Sequence, residues 1–163
     1  MLEKRQLTGN CLATNPSDKK EPLCFLYWYE WHERNTWKKK RHTTASGEDY
    51  LEAILVLQKK MGMVRSIDLA RHMGFSKPSI SHAVGVLKNG GFLTMDEDHF
   101  LHLTDVGREV AEKIFERHCF FTEQLIAAGV DPKTAEADAC RIEHIISDES
   151  FSRLKEAAEQ EQT

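Results

Sequence analysis

Cysteine is scarce and scattered in this 163-residue chain: Cys11, Cys24, Cys119 and Cys140 form no C-x-x-C pair and no framework of a small disulfide-stapled secreted domain. A reducing, cytoplasmic setting is expected. Long apolar runs are also missing. The longest in the N-terminal extension, Pro22 to Tyr29, is far too short for a membrane span, and the segment lacks the apolar core and small-residue cleavage site of a signal peptide. No membrane partner is therefore expected. Nor is there an excess of basic charge: 22 Lys+Arg against 26 Asp+Glu leave a net charge of −4, which excludes a chain that coats nucleic acid through bulk charge. Any contact with nucleic acid must be local.

Tryptophan is absent beyond the first quarter of the chain, since Trp28, Trp31 and Trp37 all fall within residues 1–46. There the apolar residues show no clean period, and Lys38-Lys39-Lys40-Arg41 closes the segment. It reads as a mostly unpacked extension, either a basic arm for DNA backbone or a solvated or artefactual tail. Residues 1–46 hold nine Lys/Arg against five Asp/Glu, leaving 13 against 21 for the remainder. One physical reason for such an acidic body is that some of its carboxylates hold a cation.

What is present from residue 47 onward is helical periodicity. Tyr50, Ile54 and Leu57, with Leu51 and Leu55 beside them, predict a first helix ending near Met61-Gly62. Ser66 is placed to cap a short second helix, Ile67 to Met73, stopped by Gly74, and Ser76 to cap a third with Pro78 in its first turn. Asn89-Gly90-Gly91 ends that helix, and Phe92 to Met95 and Phe100 to Leu103 then read as a hairpin around a polar turn. Helix, glycine turn, capped helix and hairpin make a winged helix-turn-helix. A long helix from Thr104 to about Ala128, another from Asp131-Pro132 through His144 and a last one capped by Ser147 complete the chain. The expected fold is mainly α: a winged helix-turn-helix DNA-binding domain over residues 47–103, followed by an all-helical dimerisation and metal-binding domain over residues 104–163.

In a helix-turn-helix the second helix presents its N-terminal residues to the major groove, so these should be small or polar. Here they are Ser76, Lys77, Pro78, Ser79, Ser81 and His82, with Arg65, Arg71 and Lys88 able to add backbone contacts. The expected partner is a double-stranded DNA operator. A second partner is another copy of the chain, with Val110, Ile114, Phe121, Leu125 and Leu154 expected to supply much of the buried face of a homodimer.

Two groups of residues suit a metal. Asp49 and Glu52 lie three apart on the first helix, and Cys140, Glu143 and His144 bring a thiolate, a carboxylate and an imidazole onto one helical patch. The runs Gly47 to Glu52, Leu103 to Gly107, Arg117-His118 and Ala139 to Glu149, together with the helix-turn-helix, resemble the diphtheria toxin repressor family over about residues 44–160. The resemblance implies a homodimeric transcriptional repressor ordered by a divalent transition metal, Mn²⁺ or Fe²⁺, with Co²⁺ or Zn²⁺ able to serve in vitro. It further implies control of manganese- or iron-homeostasis genes, and no catalytic residues.

Carried over position by position, the resemblance implies metal ligands at Asp49, Glu52, His118, Cys140, Glu143 and His144. The manganese branch has a glutamate where this chain has Cys140, whereas the iron branch shares Cys140 but has a methionine where Asp49 stands. The ligand set is a hybrid, and Glu123 and Glu136 could complete a second site. Two rival readings stand beside this one. One is a winged-helix regulator sensing redox state or an organic ligand through Cys119 or Cys140. The other is a small metalloenzyme with Glu143 as general base, against which the cluster has no HExxH arrangement.

Overall fold

Apolar side chains at helical spacing bury the faces they predict in the computed structural model, which describes residues 47–161. Six helices and one hairpin follow in order: α1 (Gly47–Met61), α2 (Ser66–Met73), α3 (Lys77–Asn89), β1 (Leu93–Met95), β2 (Leu101–Leu103), α4 (Asp105–Ala127), α5 (Pro132–Ile145) and α6 (Asp148–Glu161). The proposed extension, residues 1–46, lies outside the described residues. No described helix is long and apolar enough to cross a membrane.

Local chemistry sets most boundaries. Ser76 caps α3 by accepting from the Ser79 amide at 3.3 Å, and Thr104 caps α4 by accepting from the Gly107 amide at 3.1 Å. Asp131 caps α5 through the amides of Lys133 and Thr134, and Ser147 caps α6 through that of Ser150. At α2 the expectation is corrected. Ser66 is the first helical residue, and the capping position is Arg65, whose amide donates to the Asp68 carboxylate at 3.0 Å. With the Arg65 amide satisfied by the acid three residues on, the helix begins at Ser66 itself.

The hairpin pairs Leu93 with Leu103, Thr94 with His102 and Met95 with Leu101. It is anchored on both sides: the Leu101 amide donates to Val64 O at 2.8 Å, and Thr104 Oγ1 donates to Gly91 O at 2.7 Å. At Gly107 a Cβ atom would lie 1.8 Å from Phe92 O, so the first turn of α4 can press against the hairpin only because that position has no side chain.

Two apolar clusters result. The larger joins α1, α2, α3 and the hairpin to the first half of α4 through Leu51, Ile54, Leu55, Leu69, Ile80, Leu101, Ala111 and Phe115. The smaller gathers Phe121, Ala139 and Phe151, with Phe120, Ile142 and Ile146 against them. Ile114 and Phe121, expected on a pairing face, are buried within the protomer, while Leu154 remains 47% exposed. A layer of buried polar side chains also lies here, Arg117, His118, Thr122, Glu136 and Glu143 of the helical half together with Glu52 of α1. Burying so many polar groups is costly unless each finds a partner or a ligand.

Candidate metal centre

Three helices bring the predicted ligand residues together. Asp49 and Glu52 project from α1, His118 from α4, and Cys140, Glu143 and His144 from α5. Donor atoms of His118, Cys140 and Glu143 lie within 4.8 Å of one another, and so do those of Asp49, Glu143 and His144. Glu143 belongs to both groups, so the two overlap.

The inner group is the drier. His118 is fully buried and Glu143 1% exposed. His118 Nδ1 faces Glu143 Oε2 at 2.7 Å and Cys140 Sγ at 3.6 Å, while Nε2 lies 3.3 Å from Glu136 Oε1. In the outer group His144 Nε2 is 2.7 Å from Asp49 Oδ1 and 3.2 Å from Glu143 Oε1, ion-pair distances without hydrogen-bond alignment. Its Nδ1 meets Glu48 Oε2 at 2.8 Å.

Crowded acids and bases in a dry layer shift one another's protonation. Burial, then the Glu143 charge, pushes the Glu52 carboxyl up to about 8. Burial pushes the Cys140 thiol up to about 12, with His118 only partly opposing. The carboxylates of Asp49 and then Glu143, close against its Nε2, raise His144 to about 11. Burial opposes charging of His118, yet Cys140, Glu136 and Glu143 hold its pKa well above the usual value. Without a cation, protons occupy this cluster.

The donor set suits a divalent transition metal on two grounds. It mixes imidazole, carboxylate and thiol donors around the shared Glu143. In addition, Glu52, 4% exposed, buries an Oε1 with no hydrogen-bond partner within reach of the same charges. An orphaned carboxylate oxygen in such a place is what a cation ligand looks like before it has its ion.

Sequence reasoning did not single out Glu48 and saw Arg117 only as the neighbour of His118. Arg117 is 5% exposed and donates from Nη1 to the carbonyls of Glu143 at 3.0 Å and Ile146 at 3.2 Å, while Nη2 pairs with Asp148. It thereby pins the last turn of α5, which carries Glu143 and His144. No sequence signal distinguishes such an arginine from a solvated one. Glu136 sits on the far nitrogen of His118, and Glu123 is not part of either donor group. Cys140 is the free cysteine among the described residues, and Cys119 is buried in the larger core.

At the other end, Ser76, Lys77, Pro78, Ser79, Ser81 and His82 are all exposed at the start of α3. Beside them a cleft of about 450 Å³ between α3 and the hairpin is lined by Arg65, Ser66, Ser81, Lys88 and His99.

A winged helix-turn-helix coupled to a helical unit with clustered metal donors defines a class, the metal-responsive DNA-binding regulators. Residues 42–100 match the family described as "Iron dependent repressor, N-terminal DNA binding domain", and residues 104–163 match "Iron dependent repressor, metal binding and dimerisation domain". The transcriptional regulator MntR of Escherichia coli O6:H1 is 31% identical over 108 residues, covering 66% of this chain and 70% of that protein. MntR of Bacillus subtilis is 30% identical over 112 residues, covering 69% of this chain and 79% of that protein. The solved structure of the manganese regulator SloR superposes with a TM-score of 0.65 at 24% identity, over 72% of this chain and 55% of that one. ScaR with bound Zn²⁺ gives 0.60 at 22%, over 71% and 54%. The chain belongs to the iron-dependent repressor family of metal-dependent, DNA-binding transcriptional regulators.

Proposed function

We propose that this protein represses manganese- or iron-homeostasis genes as a homodimer whose hold on operator DNA is set by Mn²⁺ or Fe²⁺. The observation that carries this reading is the meeting of Asp49, from the helix that opens the DNA-binding half, with Glu143 and His144 of the helical half, next to the overlapping group of His118, Cys140 and Glu143 and within electrostatic reach of the buried Glu52. The relatives' names add manganese to the case. A division near residue 103, between a DNA-binding and a metal-binding, pairing unit, is part of the same reading.

A divalent cation here would supply positive charge and a coordination preference that draws acidic donors on different helices together. The chain's own residues do the rest. His144 lies between Glu48 and Asp49 of α1, with Nδ1 on Glu48 and Nε2 beside Asp49. A doubly charged ion held by Asp49 of α1 and by Glu143 and His144 of α5 would supply a stronger tie between those helices, leaving less ordering to be done when DNA is bound. Ser79, Ser81 and His82 then approach base edges, while Lys77 meets phosphate.

Cys140 places the ligand set between hard and soft, which favours Fe²⁺ more than an all-carboxylate set would. The test is an anaerobic, reducing DNA-binding titration with Mn²⁺, Fe²⁺, Co²⁺ and Zn²⁺ in turn, on a duplex selected from a random pool. At least one of Mn²⁺ and Fe²⁺ should raise affinity several-fold or more at metal concentrations near its own dissociation constant. Equal affinity with and without every metal, together with release by oxidant, would favour a cysteine redox sensor instead.

A further inference from the structure

We infer that Glu136 is a positioning residue for the metal centre, bracing His118 from behind so that its Nδ1 is aimed at Cys140 and Glu143, and that Glu48 does the same for His144 from the opposite nitrogen. This rests on the reading of both imidazoles as ligands.

Glu136 is otherwise hard to account for. It is 1% exposed on α5, and its hydrogen-bond contact is with His118 Nε2 at 3.3 Å. A carboxylate kept this dry is costly unless it holds a proton donor in place. It lies on the wrong side of the ring to share an ion with Cys140 and Glu143, which face Nδ1. Accepting from Nε2–H, it fixes the tautomer that leaves the Nδ1 lone pair directed into the donor group. A carboxylate behind an imidazole also makes the ring a stronger donor, the usual partnership behind a metal-bound histidine.

His144 repeats the arrangement with the nitrogens exchanged. Nε2 faces Asp49 and Glu143, and Nδ1 faces Glu48. Glu48 is 46% exposed, so solvent weakens its hold and its effect should be the smaller.

The test combines variants with a readout of the ring itself. Glu136→Leu should weaken Co²⁺ binding by roughly 10- to 100-fold without lowering the melting temperature of the metal-free protein. Glu136→Gln, which keeps an acceptor oxygen, should recover part of that affinity, and Glu48→Gln should lose less than Glu136→Leu. In the Zn²⁺-loaded wild type, nitrogen-edited NMR of labelled imidazoles should find the His118 proton on Nε2 and the His144 proton on Nδ1. This last measurement needs no variant to fold. A Glu136→Leu protein that binds Co²⁺ as tightly as wild type would overturn the inference, as would Zn²⁺ on Nε2 of His118, which would make Glu136 a ligand. Wild type that binds none of these ions would retire the metal reading itself, a different failure.

Discussion

Lowering the pH should strip metal from this protein more steeply than a single titrating group allows. At about pH 7 Cys140, with its thiol pushed up to about 12, and His144, raised to about 11, carry protons that a ligand cannot keep. His118 is likewise shifted upward, and Glu52 at about 8 is mostly protonated. Each displaced proton contributes about a tenfold change in affinity per pH unit. The sign follows from direction: all four groups are shifted up, so acid favours the metal-free state and affinity rises with pH. An ion held by His118, Cys140 and Glu143 displaces two protons, whereas one held by Asp49, Glu143 and His144 displaces one. Occupation of the inner group therefore predicts a slope of at least two in log affinity against pH, or roughly 100-fold weaker binding for each unit of acidification near neutrality. Where Glu52 also ligates, the slope should fall by about one above pH ~8 as its proton leaves unaided. Chelator competition with Co²⁺ across that range measures the slope. A value of one or less would mean that the thiol and His118 do not both give up their protons, and joint ligation by Cys140 and His118 would be refuted.

Cys140→Glu should raise the Mn²⁺ response relative to Co²⁺ and Zn²⁺, and Cys140→Ser should weaken all of them; Co²⁺ loading of wild type should show a thiolate charge-transfer band that both variants lack. Gly107→Ala should destabilise the fold by about 1–3 kcal/mol or more, read by denaturant unfolding, because the new methyl would collide with Phe92 O. Lys77→Ala should weaken binding across DNA sequences and lower the salt slope by about one, whereas substitutions at Ser79 or His82 should change operator preference.

How much of this was legible in the sequence depended on how local the cause was. The helix starts at Ser76, Thr104, Asp131 and Ser147 follow from a side chain and an amide two or three residues apart, and sequence displays both. Gly107 was visible within a family-like run, but its reason is a carbonyl 15 positions earlier that only folding brings near. The same divide runs through the metal centre. Ligand types were legible from Asp49, Glu52 and the Cys140, Glu143, His144 patch, helped by the resemblance for His118. The residues that hold those ligands were not. Glu48 reads as an ordinary acid at a helix start, Arg117 as a surface base, and Glu136 as a candidate ligand of a second site rather than a brace behind His118. Ile114 and Phe121 erred in the opposite direction, since periodicity identifies an apolar face without saying whether the protomer or its partner covers it.

Coupling between metal site and DNA surface must be reciprocal, so it can be read from the metal side as well as from the DNA side. Affinity for Mn²⁺ or Fe²⁺ should be measured by anaerobic competition on the free protein and again on the protein saturated with its selected duplex. DNA should tighten metal binding about 5- to 150-fold, by the same factor with which metal tightens DNA binding. Equal metal affinity in the two states would contradict it, leaving the ion as a structural passenger rather than the signal.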